Sequence, residues 1–213
     1  DLAFETFLHS LDYAKKMGDK TTVFNTLLNI GIMYDNNSNY DKCLYYYYEA
    51  LKYSDNADRS SVALLQSYIA EVYLTLKNNE KAEEYLKYAV ENSKLSNDTN
   101  SLIWAYSSLG RIEIDKKNFS AAENYFRESL SLARKTEFKL EIIHALTDLG
   151  KFYNTTNNFS KAEENLNEAL RLSIEINSLS DLNVIYGDLS SLYYNKQEFK
   201  KAYEYHEKYK IYS

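Results

Sequence analysis

Residues 146–169 read LTDLGKFYNTTNNFSKAEENLNEA, and the spacing of the small residues in this stretch decides the fold. Gly150, Ala162 and Ala169 are the small members, and Leu146, Leu149, Tyr153 and Leu166 are the large ones set among them. The same order of sizes recurs outward in both directions. Gly31, Ala70, Gly110, Gly150 and Ser190 follow one another at 39, 40, 40 and 40 positions. Twelve residues after each stand Cys43, Ala82, Ala122, Ala162 and Ala202. Seven further on are Ala50, Ala89, Ser129 and Ala169, and Tyr209 breaks this last column. Large residues precede the first small column (Ile30, Ile69, Leu109, Leu149, Leu189), and Tyr34, Tyr73, Tyr153 and Tyr193 follow it by three, with Glu113 the exception. Self-similarity at a fixed period of this length marks stacked supersecondary units.

Each unit reads as an A helix and a B helix, because small side chains let two helices approach while large ones fill the space around the crossing. The turns between them are polar and rich in Asn: Asn36-Asn37-Ser38-Asn39, Lys77-Asn78-Asn79-Glu80, Lys116-Lys117-Asn118, Thr155 to Asn158 and Asn195-Lys196-Gln197. Asn is expected there in the left-handed conformation that ends a helix. Ser120-Ala121-Ala122-Glu123 and Ser160-Lys161-Ala162-Glu163 read as capping boxes opening two B helices. Ala3, Phe7 and Ser10 fit the B-helix columns, so residues 1 to about 20 are expected to be the B helix of a truncated repeat. Five helix pairs should follow, over 21–60, 61–99, 100–139, 140–179 and 180–213, as one continuous body.

Composition agrees with an all-α chain. Among 213 residues there is no proline and only 5 glycines, so the punctuation of hairpins and long loops is missing. Hydrophobic residues make up 45% and charged residues 26%, the balance of a folded domain. The net charge of −6 argues against a nucleic-acid groove, whose affinity comes from neutralised phosphates. The lone Cys43 excludes an internal disulfide and a cysteine metal cluster. No apolar run is long enough to insert in a membrane. The opening Asp1-Leu2-Ala3-Phe4 lacks the layout of a signal peptide and looks like a cut from a longer chain. The compartment stays open between a cytoplasmic protein and a periplasmic sensor region.

Chemistry has little to hold on to. No phosphate-binding glycine loop is present, and His9, His144 and His206 are far apart in sequence and form no metal-ligand pair. Glu83-Glu84 and Glu163-Glu164 read as solvated helix faces, and Cys43 as packing in a small-residue column. The expectation is a non-catalytic segment with no catalytic, cofactor-binding or metal residues. Tyrosine is abundant, at 22 residues, and Tyr45-Tyr46-Tyr47-Tyr48 spans a full helix circumference, so some rings should pack between helices and others cover the surface.

These columns resemble the tetratricopeptide repeat family over essentially the whole chain. The signature falls on Leu27, Ile30, Gly31, Tyr34, Cys43, Tyr47 and Ala50 in the first full unit, and on Leu146, Leu149, Gly150, Tyr153, Ala162, Leu166 and Ala169 in the fourth. The repeat of about 40 exceeds the usual length of about 34 residues, and the proline common after the B helix is replaced by Asp55, Lys94, Arg134 and Ile174. The extra residues lengthen either the helices or the connections, as in the long repeats of bacterial signalling and regulatory proteins and kinesin-light-chain-like adaptors.

The resemblance implies a right-handed superhelical solenoid with A helices lining a concave groove. In the family's register the groove takes Asn25, Leu64, Trp104, His144 and Val184, then Ile32, Glu71, Arg111, Lys151 and Ser191, then Asp35, Leu74, Ile114, Asn154 and Tyr194. Candidate ligand-binding residues are thus Asn25, Glu71, Trp104, Arg111, His144, Lys151 and Asn154. The last five are expected to form one patch: Asn154 bonding a peptide backbone, Arg111 and Lys151 taking a carboxylate, and Trp104 or His144 an apolar side chain. Leu28 and Ile32 stand where carboxylate-clamp repeats carry a Lys and an Asn, which disfavours chaperone-tail binding.

The function this implies is protein or peptide binding, as the sensory or regulatory region of a bacterial histidine kinase, cyclic-dinucleotide cyclase or helix-turn-helix regulator. The alternative is a stand-alone scaffold or adaptor. His206 and Tyr209 alter the last B helix, and an uncapped end would let a second copy stack on a terminal or convex surface.

Overall fold

The computed structural model describes residues 2–212. The side chains of Leu2 and Ala3 lie outside that description, and so does the B-column position expected of Ala3. Among the described residues there are eleven α-helices and no strand: α1 (Leu2–Met17), α2 (Lys20–Asn36), α3 (Tyr40–Leu51), α4 (Arg59–Thr75), α5 (Asn79–Ser96), α6 (Thr99–Asp115), α7 (Phe119–Thr136), α8 (Lys139–Thr155), α9 (Phe159–Glu175), α10 (Leu179–Asn195) and α11 (Phe199–Tyr212). The even-numbered helices are the A helices and the odd-numbered ones the B helices.

Every A helix has 17 residues, and α5, α7 and α9 have 18, 18 and 17. Turns are short, such as residues 76–78 between α4 and α5 and 97–98 between α5 and α6. The residues beyond a 34-residue unit therefore lengthen helices, not connections. The departure is α3, which stops after 12 residues and is followed by a 3-10 turn at Ser54–Asn56.

The A-to-B turns share one geometry that differs from the sequence expectation. Ser38, Lys77, Lys117, Asn157 and Gln197 hold the left-handed position, with φ between 55° and 63°, so Asn occupies only one of the five. The residue after each closes a six-residue hydrogen bond back into the A helix: Asn39 N–H to Tyr34 O, Asn78 to Tyr73, Asn118 to Glu113, Asn158 to Tyr153 and Glu198 to Tyr193. That is a Schellman motif. Asn sits one place later because it is also the N-cap of the B helix: Asn39, Asn78 and Asn158 accept from the backbone N–H of Lys42, Lys81 and Lys161. The expected capping boxes are corrected in the same way. α7 and α9 begin at Phe119 and Phe159, so Ser120 and Ser160 already lie inside the helix. The Glu163 carboxylate instead accepts from the Tyr193 hydroxyl and Lys196.

The small columns mark the helix crossings. A Cβ on Gly31, Gly110 or Gly150 would stand 2.3 Å from the Tyr47 ring, 2.7 Å from the Phe126 ring and 2.5 Å from Leu166, each contact being sixteen residues further on. Tyr47, Phe126 and Leu166 are fully buried, so they have no room to withdraw.

The helices gather into two compact units, one up to Ala105 and one from Tyr106, with the division inside α6. In the first, α2 packs on α1 and α3, and α4 on α3 and α5. Its core includes Phe24, Ile30, Tyr47, Leu65, Ile69 and Leu86. In the second, α8 packs on α7, α9 and α10, and α10 on α9 and α11. Phe126, Ile143, Leu146, Leu166, Ile185 and Leu189 fill its core.

Candidate functional site

The A helices bury alternate stripes in these cores and leave a third outward, where the candidate residues lie. On the first unit Asn25 and Glu71 are exposed and Trp104 is half-buried. Trp104, on the first half of α6, lines a cleft of about 230 Å³ with Asn100 and Ser101 of the same helix and Leu64, Ser67 and Tyr68 of α4. Its sequence neighbours Ile103 and Ala105 are buried.

Arg111, His144, Lys151 and Asn154 belong to the second unit, and each meets a partner on the next A helix. Arg111 Nη1 is 3.9 Å from Asp148 Oδ1, and its Nη2 donates to Ser108 Oγ at 3.0 Å. Lys151 Nζ is 3.4 Å from Asp188 Oδ2. His144 Nε2 donates to Asp181 Oδ1 at 3.1 Å, while the Ser178 hydroxyl donates to the other carboxylate oxygen. Asn195 Nδ2 donates to Asn154 Oδ1 at 3.0 Å. The basic side chains keep about half their surface in water, 51% for Arg111 and 47% for Lys151, so they are braced and still reachable.

The carboxylates were not singled out from the sequence, yet a signal was there. Asp148, Asp181 and Asp188 each follow their partners Arg111, His144 and Lys151 by 37 residues, one repeat minus three. An ion pair between stacked units should recur at a fixed offset in this way. Asp188 is the most constrained of the three, because burial pushes its carboxyl up to about 6 against the pull of Lys151. At the offset where Arg111 and Lys151 find acids, Ile32 of the first unit has Ile69.

The tyrosine column after the small residues is a second polar device. Lys42, Lys81, Lys161 and Lys201 lie 4.8–5.2 Å from the ring centres of Tyr34, Tyr73, Tyr153 and Tyr193. The Tyr153 and Tyr193 hydroxyls also donate, at 2.7 Å, to Glu123 and Glu163 on the preceding B helix. Burial and then that carboxylate push the Tyr153 phenol up to about 12. Glu113, the exception, accepts instead from Asn118 Nδ2 and Lys116 Nζ and braces its own turn.

In the tyrosine run, Tyr47 is buried against Tyr68, Tyr46 stacks on Tyr34, Tyr48 bonds the Tyr73 hydroxyl at 2.6 Å and Tyr45 is exposed. Cys43 is fully buried, which pushes its thiol up to about 12. Among the described residues no group of three or more His, Cys, Asp or Glu side chains converges as a metal site, and no helix is long and apolar enough to cross a membrane.

A model of the tetratricopeptide repeat matches residues 61–135 and again 101–175, the second match offset from the first by the 40-residue period. The chain belongs to the tetratricopeptide repeat family. Among solved structures, this repeat chain is similar to BtubC (BKLC) from P. vanneervenii, with TM-score 0.83 and 17% identity over 98% of this chain and 89% of that one. It is similar to the STAND signal transduction ATPase with a tetratricopeptide repeat sensor from Pyrococcus horikoshii, with TM-score 0.76 and 26% identity over 88% of this chain and 29% of that one. It also resembles the Rap conjugation gene regulator of plasmid pLS20 in complex with the Phr* peptide, with TM-score 0.73 and 20% identity over 92% and 54%. The tetratricopeptide chain thus spans about a third of the ATPase and about half of the Rap regulator. Among curated protein sequences none matches it.

Proposed function

We propose that this tetratricopeptide chain is a protein- or peptide-binding domain acting as the regulatory region of a larger bacterial signalling protein. The observation that carries the reading is the braced row on the A helices of the second unit, in which Arg111–Asp148, His144–Asp181 and Lys151–Asp188 repeat at one offset. Donors and acceptors held at regular intervals, half in water, suit an extended peptide whose backbone offers both at regular intervals. Because each cation is already neighboured by a carboxylate, an acidic ligand group would share it. The mixed face favours backbone and polar contacts over a bare carboxylate. The regulatory part of the reading is supported by two similar structures, an ATPase with a tetratricopeptide repeat sensor and a regulator bound to a peptide. The binding domain contributes no catalytic step of its own.

A stand-alone adaptor is the second reading, favoured by the similarity to BtubC, nine-tenths of whose length this chain spans. Reading the encoding frame through both ends separates the two: a kinase, cyclase or DNA-binding module next to the repeats supports regulation, and a frame that ends at their edges supports the adaptor. Binding itself is tested by panning a random peptide library and repeating the titration with Arg111→Glu and Lys151→Glu. A loss of about tenfold, equal to about 1.4 kcal/mol, supports the row as the contact surface. Unchanged affinity removes it.

A further inference from the structure

The cleft between α4 and α6 in the first unit differs from the braced row, because its floor carries a hydroxyl with nothing to bond. Ser67 is 6% exposed and its Oγ has no hydrogen-bond partner. The repeat explains why. Forty residues on, Ser107 Oγ bonds Ser129 Oγ at 3.0 Å, and forty further Thr147 Oγ1 donates to Ile143 O. The counterpart of Ser129 in the first unit is Ala89, fully buried and without a hydroxyl. A buried polar group left unpaired is costly, and a ligand that pairs it recovers the difference.

The rest of the cleft says what kind of ligand. Its walls are Trp104, the chain's single tryptophan, together with Leu64 and Tyr68. A space of about 230 Å³ suits one aromatic side chain lying against them. Tyr68 also feels two negative groups: after burial, the charges of Glu71 and Asp35 are what raise its phenol. The basic residues of α2 and α4, Lys20 and Arg59, are at the opposite, N-terminal ends of those helices.

We infer that this cleft seats a tyrosine side chain flanked by basic residues, from a peptide or protein partner, with its ring against Trp104 and Leu64, its hydroxyl on Ser67 Oγ, and the basic neighbours facing Asp35 and Glu71. The seat presupposes the binding function proposed above and names the chemistry of its occupant.

Because Trp104 is unique, its fluorescence, excited where tyrosine does not absorb, reports this cleft alone. The probes are three acetylated and amidated tripeptides, Lys-Tyr-Lys, Lys-Phe-Lys and Glu-Tyr-Glu, titrated into the full chain while backbone amide NMR shifts are mapped. Lys-Tyr-Lys should change the Trp104 emission saturably and bind about three- to tenfold more tightly than either of the others. Ser67→Ala should bring Lys-Tyr-Lys down to the Lys-Phe-Lys level. Ala89→Ser, which restores to Ser67 the partner that Ser107 has, should do the same. Ser67→Ala removes a hydroxyl that bonds nothing, so thermal stability is expected not to fall. Equal binding of the tyrosine and phenylalanine peptides overturns the assignment. Amide shifts that appear only outside the cleft, with Trp104 unchanged, overturn it and leave peptide binding standing. No shift anywhere overturns both.

Discussion

Gly31 shows how a single hydrogen atom sets the distance between two helices. Replacing it by Ala would bring a methyl group within 2.4 Å of two Tyr47 ring atoms. Gly31→Ala is therefore expected to destabilise the protein by about 1–3 kcal/mol, even though Ala is the better helix former. Urea unfolding checks the loss, and adding Tyr47→Leu, the size found at Leu86 of the next unit, should recover part of it. Asp188 makes the opposite point, a residue kept at a cost. Its carboxyl is raised from an ordinary 3.8 to about 6, so between those values the folded chain holds a proton that the unfolded chain has released. Stability therefore falls as pH rises through that window and stays lower above it. Asp188→Asn should stabilise the protein near neutral pH by about 2 kcal/mol, with the gain vanishing near pH 4. Urea midpoints for both proteins at the two pH values test this, and a gain that is the same at both would contradict it. The small size demanded of Gly31 was legible from its column. The burial of Asp188 was not, because it depends on a helix one repeat away.

Helices and turns follow two local rules that compete for the same residues. In the turns before α3, α5 and α9 Asn can take the left-handed position or cap the next helix, and its side-chain oxygen decides for the cap, where it satisfies a backbone N–H at the cost of one side-chain rotamer. In all five turns the left-handed place falls to the residue before the N-cap position, Lys117 among them, at φ 59°. Lys117→Gly should stabilise the chain by about 0.5–1 kcal/mol, since glycine adopts that conformation without a Cβ penalty. Thermal unfolding is the check. The same substitution at Lys116, one place earlier, should destabilise. α7 and α9 start two residues before the places that the Ser-x-x-Glu boxes imply, because that pattern fits a capping box wherever it falls: the Asn two residues before each Ser holds the N-cap position, and Asn158 caps α9 through its side chain while Asn118 turns its amide to Glu113. The Tyr–Lys pairs at eight residues and the Arg–Asp, His–Asp and Lys–Asp pairs at 37 were present as spacings, and only packing showed that they touch.

For the chain as a body, Cys43 and Trp104 are two unique reporters in one unit. Cys43 is fully buried with its thiol pushed up to about 12, so a thiol reagent should reach it only when the first unit opens. Labelling of Cys43 is thus expected to share its urea midpoint with the change in Trp104 emission. Labelling well below that midpoint would mean that α2 and α3 open alone. The candidate site was partly legible at this level: the register placed Asn25, Glu71, Arg111, His144 and Lys151 on the exposed surface of the A helices, with Trp104 and Asn154 half-buried beside them. Of the five residues expected in one patch, Trp104 lines the cleft of the first unit, and Arg111, His144, Lys151 and Asn154 stand in the paired row of the second.

The amino-acid order was enough to determine the all-α class, the period, the helix crossings and the face each helix turns outward, because those depend on side-chain size and spacing within a unit and its neighbour. Which charges are already answered, which hydroxyl is left over and where the chain parts into two units were settled only by tertiary structure. Those outcomes rest on contacts between side chains of different helices, such as Ser107 with Ser129, 22 residues on, while Ser67 has no hydrogen-bond partner, Ala89 standing at the place of Ser129, and no local pattern encodes that contact.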